Sequence, residues 1–321
     1  MVSTVTPEVM TPPRIAVLVP CYNEEAAIAK VVQDFRAALP TAVIYVYDNN
    51  SRDRTGARAR EAGAVVRIET KQGKGNVVRR MFADIEADVY VLVDGDDTYD
   101  ASVAPALIAR LVEDCIDIVT GQRVAEGKTA YRRGHVLGNR MLTGLTSLMF
   151  SIHVADMLSG YRVMSRRFVK SFPSAAVGFG IETELTVHAI RMKVPMAEVP
   201  IPYKERPEGS VSKLSTYRDG WRILMTIGGL MRRERPLIFF GSIAIFFLLF
   251  SFVIGIPVVI EYFQTGLVPR LPTAVLVTGM MMLAWLAAFT GLILDTVTRG
   301  RWEQKRMQYL SIPGPHELRR P

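Results

Sequence analysis

Two long charge-free runs decide most of what this chain can fold into. From Pro236 to Ile260, and again from Leu271 to Leu294, there is no Asp, Glu, Lys or Arg. A hydrocarbon core about 30 Å thick takes roughly 20 helical residues, so each run is long enough to cross one. Buried helices of soluble proteins rarely run so far without a charge, and the runs read as a two-helix transmembrane hairpin over 236–298. The link Glu261 to Arg270 is short and nearly neutral. Arg232, Arg233 and Arg235 precede the pair, and Arg299, Arg301, Lys305 and Arg306 follow it. The positive-inside rule puts both flanks in the cytoplasm. The expectation is a multi-pass protein of the inner (plasma) membrane with its N-terminal domain and a 299–321 tail cytoplasmic. Residues 1–13 have no apolar stretch behind basic residues and read as a disordered tail, not a signal peptide.

Ahead of the hairpin, strand and helix signals alternate. Ile15 to Pro20 reads as a strand, and Asn23 can cap a helix with Ile28, Val31, Val32 and Phe35 at helical spacing. Ala42 to Tyr47 is the next strand, ending in the polar break Asp48-Asn49-Asn50-Ser51. Asp53 can cap a helix to Glu61, and Val65 to Ile68 is a short strand. Gly73-Lys74-Gly75 opens a helix toward Ala87, and the apolar run from Val89 to Val93 reads as a strand buried on both faces. Such alternation implies right-handed βαβ units and a doubly wound sheet, whose ligands bind beyond the carboxyl ends of the strands. The polar breaks after Val19, Tyr47 and Val93 fall on that edge and make one site. Further on, Ser102 to Asp114 reads as a helix and Asp117 to Val124 as a strand ending near Arg123. Val136 to Ile152 is apolar but for Arg140. Tyr217 to Arg235 is amphipathic and basic, and 215–235 reads as a helix lying in the membrane interface.

The formal charge of +8 calls for an anionic partner: nucleic acid, nucleotide or acidic lipid surface. Cys21 and Cys115 are too few for a disulfide framework or structural zinc, and His135, His153, His188 and His316 lack metal-ligand spacing. The acidic run Asp94-Gly95-Asp96-Asp97 is the sharper feature. On an extended backbone, residues two apart point the same way, so Asp94 and Asp96 can share a hard cation such as Mg²⁺ or Mn²⁺. A solvated acidic turn is the alternative for that run in isolation. Gly95 lets another group approach the backbone closely.

Val19-Pro20-Cys21-Tyr22-Asn23-Glu24-Glu25, Asp48-Asn49-Asn50-Ser51-Arg52-Asp53-Arg54-Thr55, Gly73-Lys74-Gly75 and Asp94-Gly95-Asp96-Asp97 follow one another at ordinary spacing. Together they resemble the nucleotide-sugar half of a family 2 glycosyltransferase with the GT-A fold. Ser159-Gly160-Tyr161-Arg162, Gly180-Ile181-Glu182-Thr183-Glu184 and the stretch from Arg206 to Leu214 resemble the branch of polyprenyl-phosphate glycosyltransferases and dolichyl-phosphate mannose synthase. The Gln-x-x-Arg-Trp motif of processive synthases is absent, Thr298 standing where its Gln would be. The resemblance implies an α/β, Rossmann-like, mostly parallel GT-A domain over 14–214, followed by the interfacial segment and the spans.

It also implies roles. Pro20 and Tyr22 would shape the base pocket, and Glu24 would take ribose hydroxyls or serve as first-turn helix charge. Asp48 is acceptor-only and suits a base N–H of uracil or guanine, or else caps the next helix. Lys74 offers a cation and nearby backbone N–H groups to the diphosphate. Asp94 would face the ribose or the metal, and Asp96 the metal. The acceptor implied is a polyprenyl phosphate, already largely dianionic at neutral pH, which needs cations more than a base. Arg123 and one of Arg132 or Arg133 match the family's acceptor arginines, Arg206 its donor arginine, and Lys213 is a further donor-side cation. Glu182 would act as a base or orient the sugar. The expected reaction is inverting, metal-dependent transfer from a nucleoside diphosphate sugar, UDP being favoured over GDP-mannose. Nucleic acid is not an expected partner, and a homo-oligomer is left open. The rival readings are another lipid acceptor, such as a diacylglycerol, and a catalytically silent membrane protein that binds a glycan-assembly partner.

Overall fold

The structure is a computed structural model describing residues 12–125, 155–173, 180–204, 228–229 and 231–319. Arg132, Arg133, Arg206, Lys213, the apolar stretch 136–152 and most of 215–235 lie outside the described residues. The chain divides into two compact units: Met1–Asp219 with Lys305–Pro321, and Gly220–Gln304.

The first unit is built on a seven-stranded sheet in the order β3-β2-β1-β4-β6-β5-β7. The strands are β1 (Ile15–Cys21), β2 (Val43–Asp48), β3 (Val65–Ile68), β4 (Val89–Leu92), β5 (Ile118–Ala125), β6 (Arg162–Ser165) and β7 (Met196–Tyr203). β6 runs antiparallel to both its neighbours, and the other pairings are parallel. Every residue of β4 is buried, as its unbroken apolar run requires of a strand central in the sheet and covered on both faces. Two helical layers cover the sheet. On one side α1 (Ile28–Ala38) packs with α2 (Thr55–Glu61) and α4 (Ala104–Glu113); on the other α3 (Lys74–Asp84) packs with α5 (Arg166–Ser171) and α6 (Ile181–Met192). Ile28, Val31, Val32 and Phe35 are the buried face of α1, as their spacing predicts, and they meet Val17, Val19, Val91 and Val93 in the core.

The elements differ from expectation at their ends. Asn23 does not cap α1, which starts at Ile28. Asn23 has a positive φ of 54°, and its side-chain oxygen accepts from Arg52 N at 2.8 Å, so it ties two loops together. The cap position of α2 is Arg54, not Asp53, though Asp53 Oδ1 accepts from Thr55 N, at the first residue of the helix, at 3.0 Å. α3 ends at Asp84, and the expected helix from Ser102 is a 3₁₀ turn (Ala101–Val103) leading into α4.

In the second unit α7 (Pro236–Thr265) and α8 (Leu271–Leu310) are both long and apolar enough to cross a membrane. Their large side chains face outward: Phe246 is 62% exposed, Val253 70% and Phe263 82%. Gly255 sits against Val277, and Gly291 against Phe240, where a small residue lets two helices approach. α8 does not stop at the end of its apolar run but continues past Arg299 and Arg301 to Leu310. Its last turns belong to the first unit, where Tyr309 donates to the buried Asp117 at 2.7 Å, and Arg167 pairs with that carboxylate while lying 4.6 Å over the Tyr309 ring.

Candidate active site

The carboxyl ends of β1 and β2 are laced together by side chains. Asn23 N donates to Ser51 Oγ at 2.9 Å, Glu24 N to Thr55 Oγ1 at 2.8 Å, and Arg54 N to Glu25 Oε2 at 2.9 Å. β1 and β2 pair in register, Pro20 beside Tyr47 and Cys21 beside Asp48, so Tyr22 and Glu24 follow β1 at the edge where Asp48 ends β2. Asp48 accepts from Ser51 N at 2.9 Å through Oδ1, so one of its oxygens shapes the turn. Asn49, which sequence reasoning passed over, does more than fill that turn. Buried, it donates to the carbonyls of Glu69 and Lys71 at 2.8 Å and accepts from Gly73 N at 2.6 Å. It thereby fixes the backbone that delivers Lys74, and Gly73 is a glycine because its φ is 125°.

Lys74 joins residues from three elements. Its Nζ donates to Asp94 Oδ1, just past β4, and to Glu182 Oε1 at 2.5 Å, in the first turn of α6. Burial pulls the lysine's pKa down, but the two carboxylates outweigh it and hold the ammonium charged far above neutrality. Glu182 thus has a role no spacing could show: it shares a cation with Asp94. Gly160 presses against the same carboxylate, since a Cβ there would lie 2.4 Å from Asp94 Oδ2. Gly95 has its own close neighbour, a Cβ there falling 2.6 Å from Cys21 Sγ.

β4 ends at Leu92, so Asp96 lies in a bend beyond the strand, where side chains two apart no longer point the same way by strand geometry. Asp97 has a φ of 57° and pairs with Lys30 at 3.0 Å on the surface. Asp96 is buried and accepts from Thr98 Oγ1 at 2.6 Å. Among the described residues no three His, Cys, Asp or Glu gather as a self-sufficient metal cage. Asp94 and Asp96 are nonetheless the ligand type that Mg²⁺ and Mn²⁺ take, commonly as one or two carboxylates with substrate phosphates completing the shell.

The loop from Met157 to Gly160 is held by Arg162, which is fully buried. Its guanidinium donates to Ser159 O at 3.1 Å, Met157 O at 3.0 Å and Thr186 Oγ1 at 2.8 Å. Burial pushes its pKa down to about 10, against the pull of Glu182 and Asp156. Gly160 N donates to Tyr99 Oη at 2.8 Å, Tyr99 meets Tyr203 edge to face at 5.4 Å, and Arg123 lies 5.4 Å over the Tyr203 ring. This tyrosine wall connects the Lys74 cluster to Arg123. Arg123 sits at the carboxyl end of β5 and is paired bidentately with Asp156, which sequence reasoning also missed. The signal for Asp156 was slight: one acidic residue just ahead of the Ser159-Gly160 motif.

A family model, glycosyl transferase family 2, matches residues 16–172. Glycosyltransferase AglJ of Haloferax volcanii is 35% identical over 73% of this chain and 77% of its own length. A dolichyl-phosphate hexose transferase of the same organism is 31% identical over 69% of this chain and 95% of its own. Among solved structures, glucosyl-3-phosphoglycerate synthase from Mycobacterium tuberculosis superposes with a TM-score of 0.55 at 24% identity, covering 68% of this chain and 79% of that one. That likeness fixes the GT-A architecture. With the motifs gathered on one sheet edge and relatives of this identity spanning the domain, the chain is a glycosyltransferase and belongs to glycosyl transferase family 2.

Proposed function

We propose that this chain transfers one sugar from a nucleoside diphosphate to a polyprenyl phosphate held in the membrane, with inversion at the anomeric carbon. The observation that carries the reading is the Lys74–Asp94–Glu182 cluster, joined through Tyr99 and Tyr203 to Arg123. One end of that wall suits a donor's sugar and diphosphate, and the other a second anion. The polyprenyl reading is supported by the relative named for dolichyl phosphate and by the two long apolar helices. We take those helices as membrane spans with cytoplasmic flanks, which keeps the site on the donor's side.

In this reading Asp48 accepts a base N–H through the oxygen not committed to Ser51, and Pro20, Tyr22 and Glu24 line the base and ribose. A uridine donor is preferred to GDP-mannose. Asp94 and Asp96 would hold Mg²⁺ or Mn²⁺, which when bound supplies charge neutralisation to the diphosphate leaving group. The mycobacterial synthase was solved with Mn²⁺ and UDP-glucose, consistent at the level of the fold. Lys74 holds Asp94 and Glu182 side by side, and Glu182 faces the sugar as an orienting carboxylate. Arg206 and Lys213 serve the donor diphosphate. Arg123, with Arg132 or Arg133, brings the lipid phosphate to the anomeric carbon. A phosphate oxygen forms the new bond to that carbon as its bond to the diphosphate oxygen breaks. The nucleoside diphosphate departs with the electron pair, and no proton need move, because the attacking phosphate is largely dianionic already.

The test is transfer from a panel of radiolabelled nucleotide sugars to undecaprenyl phosphate, with the lipid product analysed by NMR. An α-configured donor should give a β-linked lipid monophosphosugar. Chelation should stop the reaction and Mg²⁺ or Mn²⁺ restore it, and Asp96→Asn should lose about 10²–10³ in kcat, the scale of one electrostatic stabiliser. A retained configuration, a diphosphate-linked product, or full activity of Asp96→Asn in excess chelator would reject the proposal.

A further inference from the structure

Arg123 is held on three sides. Its Nε and Nη2 donate to the two oxygens of Asp156 at 2.7 and 2.8 Å, and its backbone N donates to Asp156 Oδ2 at 3.3 Å. The guanidinium lies 5.4 Å over the Tyr203 ring. Asp156 is fixed just as firmly. Glu198 of β7 accepts from Ala155 N at 2.9 Å and Asp156 N at 3.2 Å, and Leu158 N donates back to Asp156 Oδ1 at 3.3 Å. Both side chains are nearly buried, Arg123 at 15% and Asp156 at 6% exposure. Burial raises the carboxyl's pKa, but Arg123 and the backbone N–H groups overcome that and keep it below the usual carboxylate range.

A guanidinium has two edges that can each grip an oxyanion bidentately. With the Nε/Nη2 edge clamped by Asp156 and the ring plane set by Tyr203, the direction of the Nη1/Nη2 edge is no longer adjustable. We propose that Asp156 is a positioning residue: it aims the second edge of Arg123 at the acceptor's phosphate. The inference rests on the reading of Arg123 as a phosphate-binding arginine, and goes beyond it by assigning orientation, not charge, as what the site requires. The two alternatives predict opposite signs. Asp156 carries a negative charge beside the proposed phosphate position, so on Coulomb attraction alone its removal should tighten acceptor binding. If its task is to aim Arg123, removal should weaken binding although the site becomes more positive.

The experiment uses the full chain in lipid nanodiscs, with undecaprenyl phosphate as acceptor and the nucleoside diphosphate as a separate binding probe. Asp156→Asn should raise acceptor KM by about tenfold or more, the scale of one disoriented charge-assisted pair, with nucleotide affinity unchanged within about twofold. Asp156→Glu should recover part of the loss. In an Arg123→Gln background, Asp156→Asn should add nothing, because the carboxylate acts through the guanidinium. Arg123→Lys keeps the charge but cannot be clamped along an edge, and should raise KM as Asp156→Asn does; it decides the matter should the Asp156 variants not fold. A lowered or unchanged KM in Asp156→Asn, a further loss in the Arg123→Gln background, or wild-type KM in Arg123→Lys would overturn the proposal. Unchanged acceptor KM in Arg123→Gln alone would instead remove the underlying reading of Arg123.

Discussion

Gly160 is the residue at which the site tolerates least. Asp94 occupies the space where its side chain would be, at 2.4 Å from a would-be Cβ, while its N–H is spent on Tyr99 at 2.8 Å. Neither contact can yield without moving Asp94 off Lys74 or breaking the tyrosine wall. Gly160→Ala should therefore lower kcat by at least about tenfold while shifting the melting temperature by only a few degrees, since a local displacement of this kind typically costs about 1–3 kcal/mol. Steady-state kinetics and a melt of the same preparation check both halves, and wild-type kcat would show that the contact relaxes harmlessly. The contrast between Gly160 and Asp156 also says what a sequence reveals of a site. Lys74 and Asp94 were legible because each stands in a compact motif at a strand or helix end. Asp156, Asn49 and Tyr99 were not, because each acts through a partner 24 to 61 positions away. No local pattern marks such a pairing.

Among the elements, α6 carries the most unusual buried group. His188 lies between the rings of Phe168 and Phe172, with Ser171 Oγ 3.3 Å from its Nε2. Burial first, then repulsion from Lys305, lowers its pKa to about 3. The folded ring therefore stays neutral where the unfolded one, with an ordinary value near 6.5, takes up a proton. Its contribution to stability is fully present above about pH 6.5 and is lost as pH falls toward 3, at up to roughly 1.4 kcal/mol per unit. The buried carboxylates with lowered pKa values lose their contributions only at lower pH, so between pH 6.5 and 5 the slope belongs mainly to histidine. A melting series should show the full chain losing stability over that window and His188→Asn losing markedly less. Equal slopes would mean that the ring is not held neutral. The element order up to β4 was readable because strands buried on both faces are continuously apolar and their helices keep a 3.6-residue rhythm. β6 was not. It is four residues long and antiparallel, and its register with β4 and β5 comes from packing, not from periodicity.

For the whole molecule, the proposal that α7 and α8 are membrane spans sets which side of the bilayer their flanks and their link would face. Arginines and lysines flank α7 and α8 on their outer ends, while the link between them carries Glu261 paired with Arg270 at 3.3 Å. A cysteine at Thr265 should react with an impermeant reagent in intact cells, and one at Gln304 only after lysis. The reverse pattern would put the donor site on the wrong side of the bilayer. The contact between Tyr309 and Asp117 bears on a different matter, the order in which the chain is made. Asp117 is fully buried beneath Arg167 and Tyr309, yet the ribosome releases Tyr309 only after both apolar helices. The catalytic unit is thus interrupted in sequence by the hairpin and receives its last hydrogen bond from behind it. A nascent chain stalled within the hairpin holds a sheet whose buried carboxylate still lacks one donor, at a cost of about 1.5–3 kcal/mol. Completion of the Asp117 site therefore has to await synthesis of α7 and α8, and a chain ended at Arg235 would lack the Tyr309 hydrogen bond altogether.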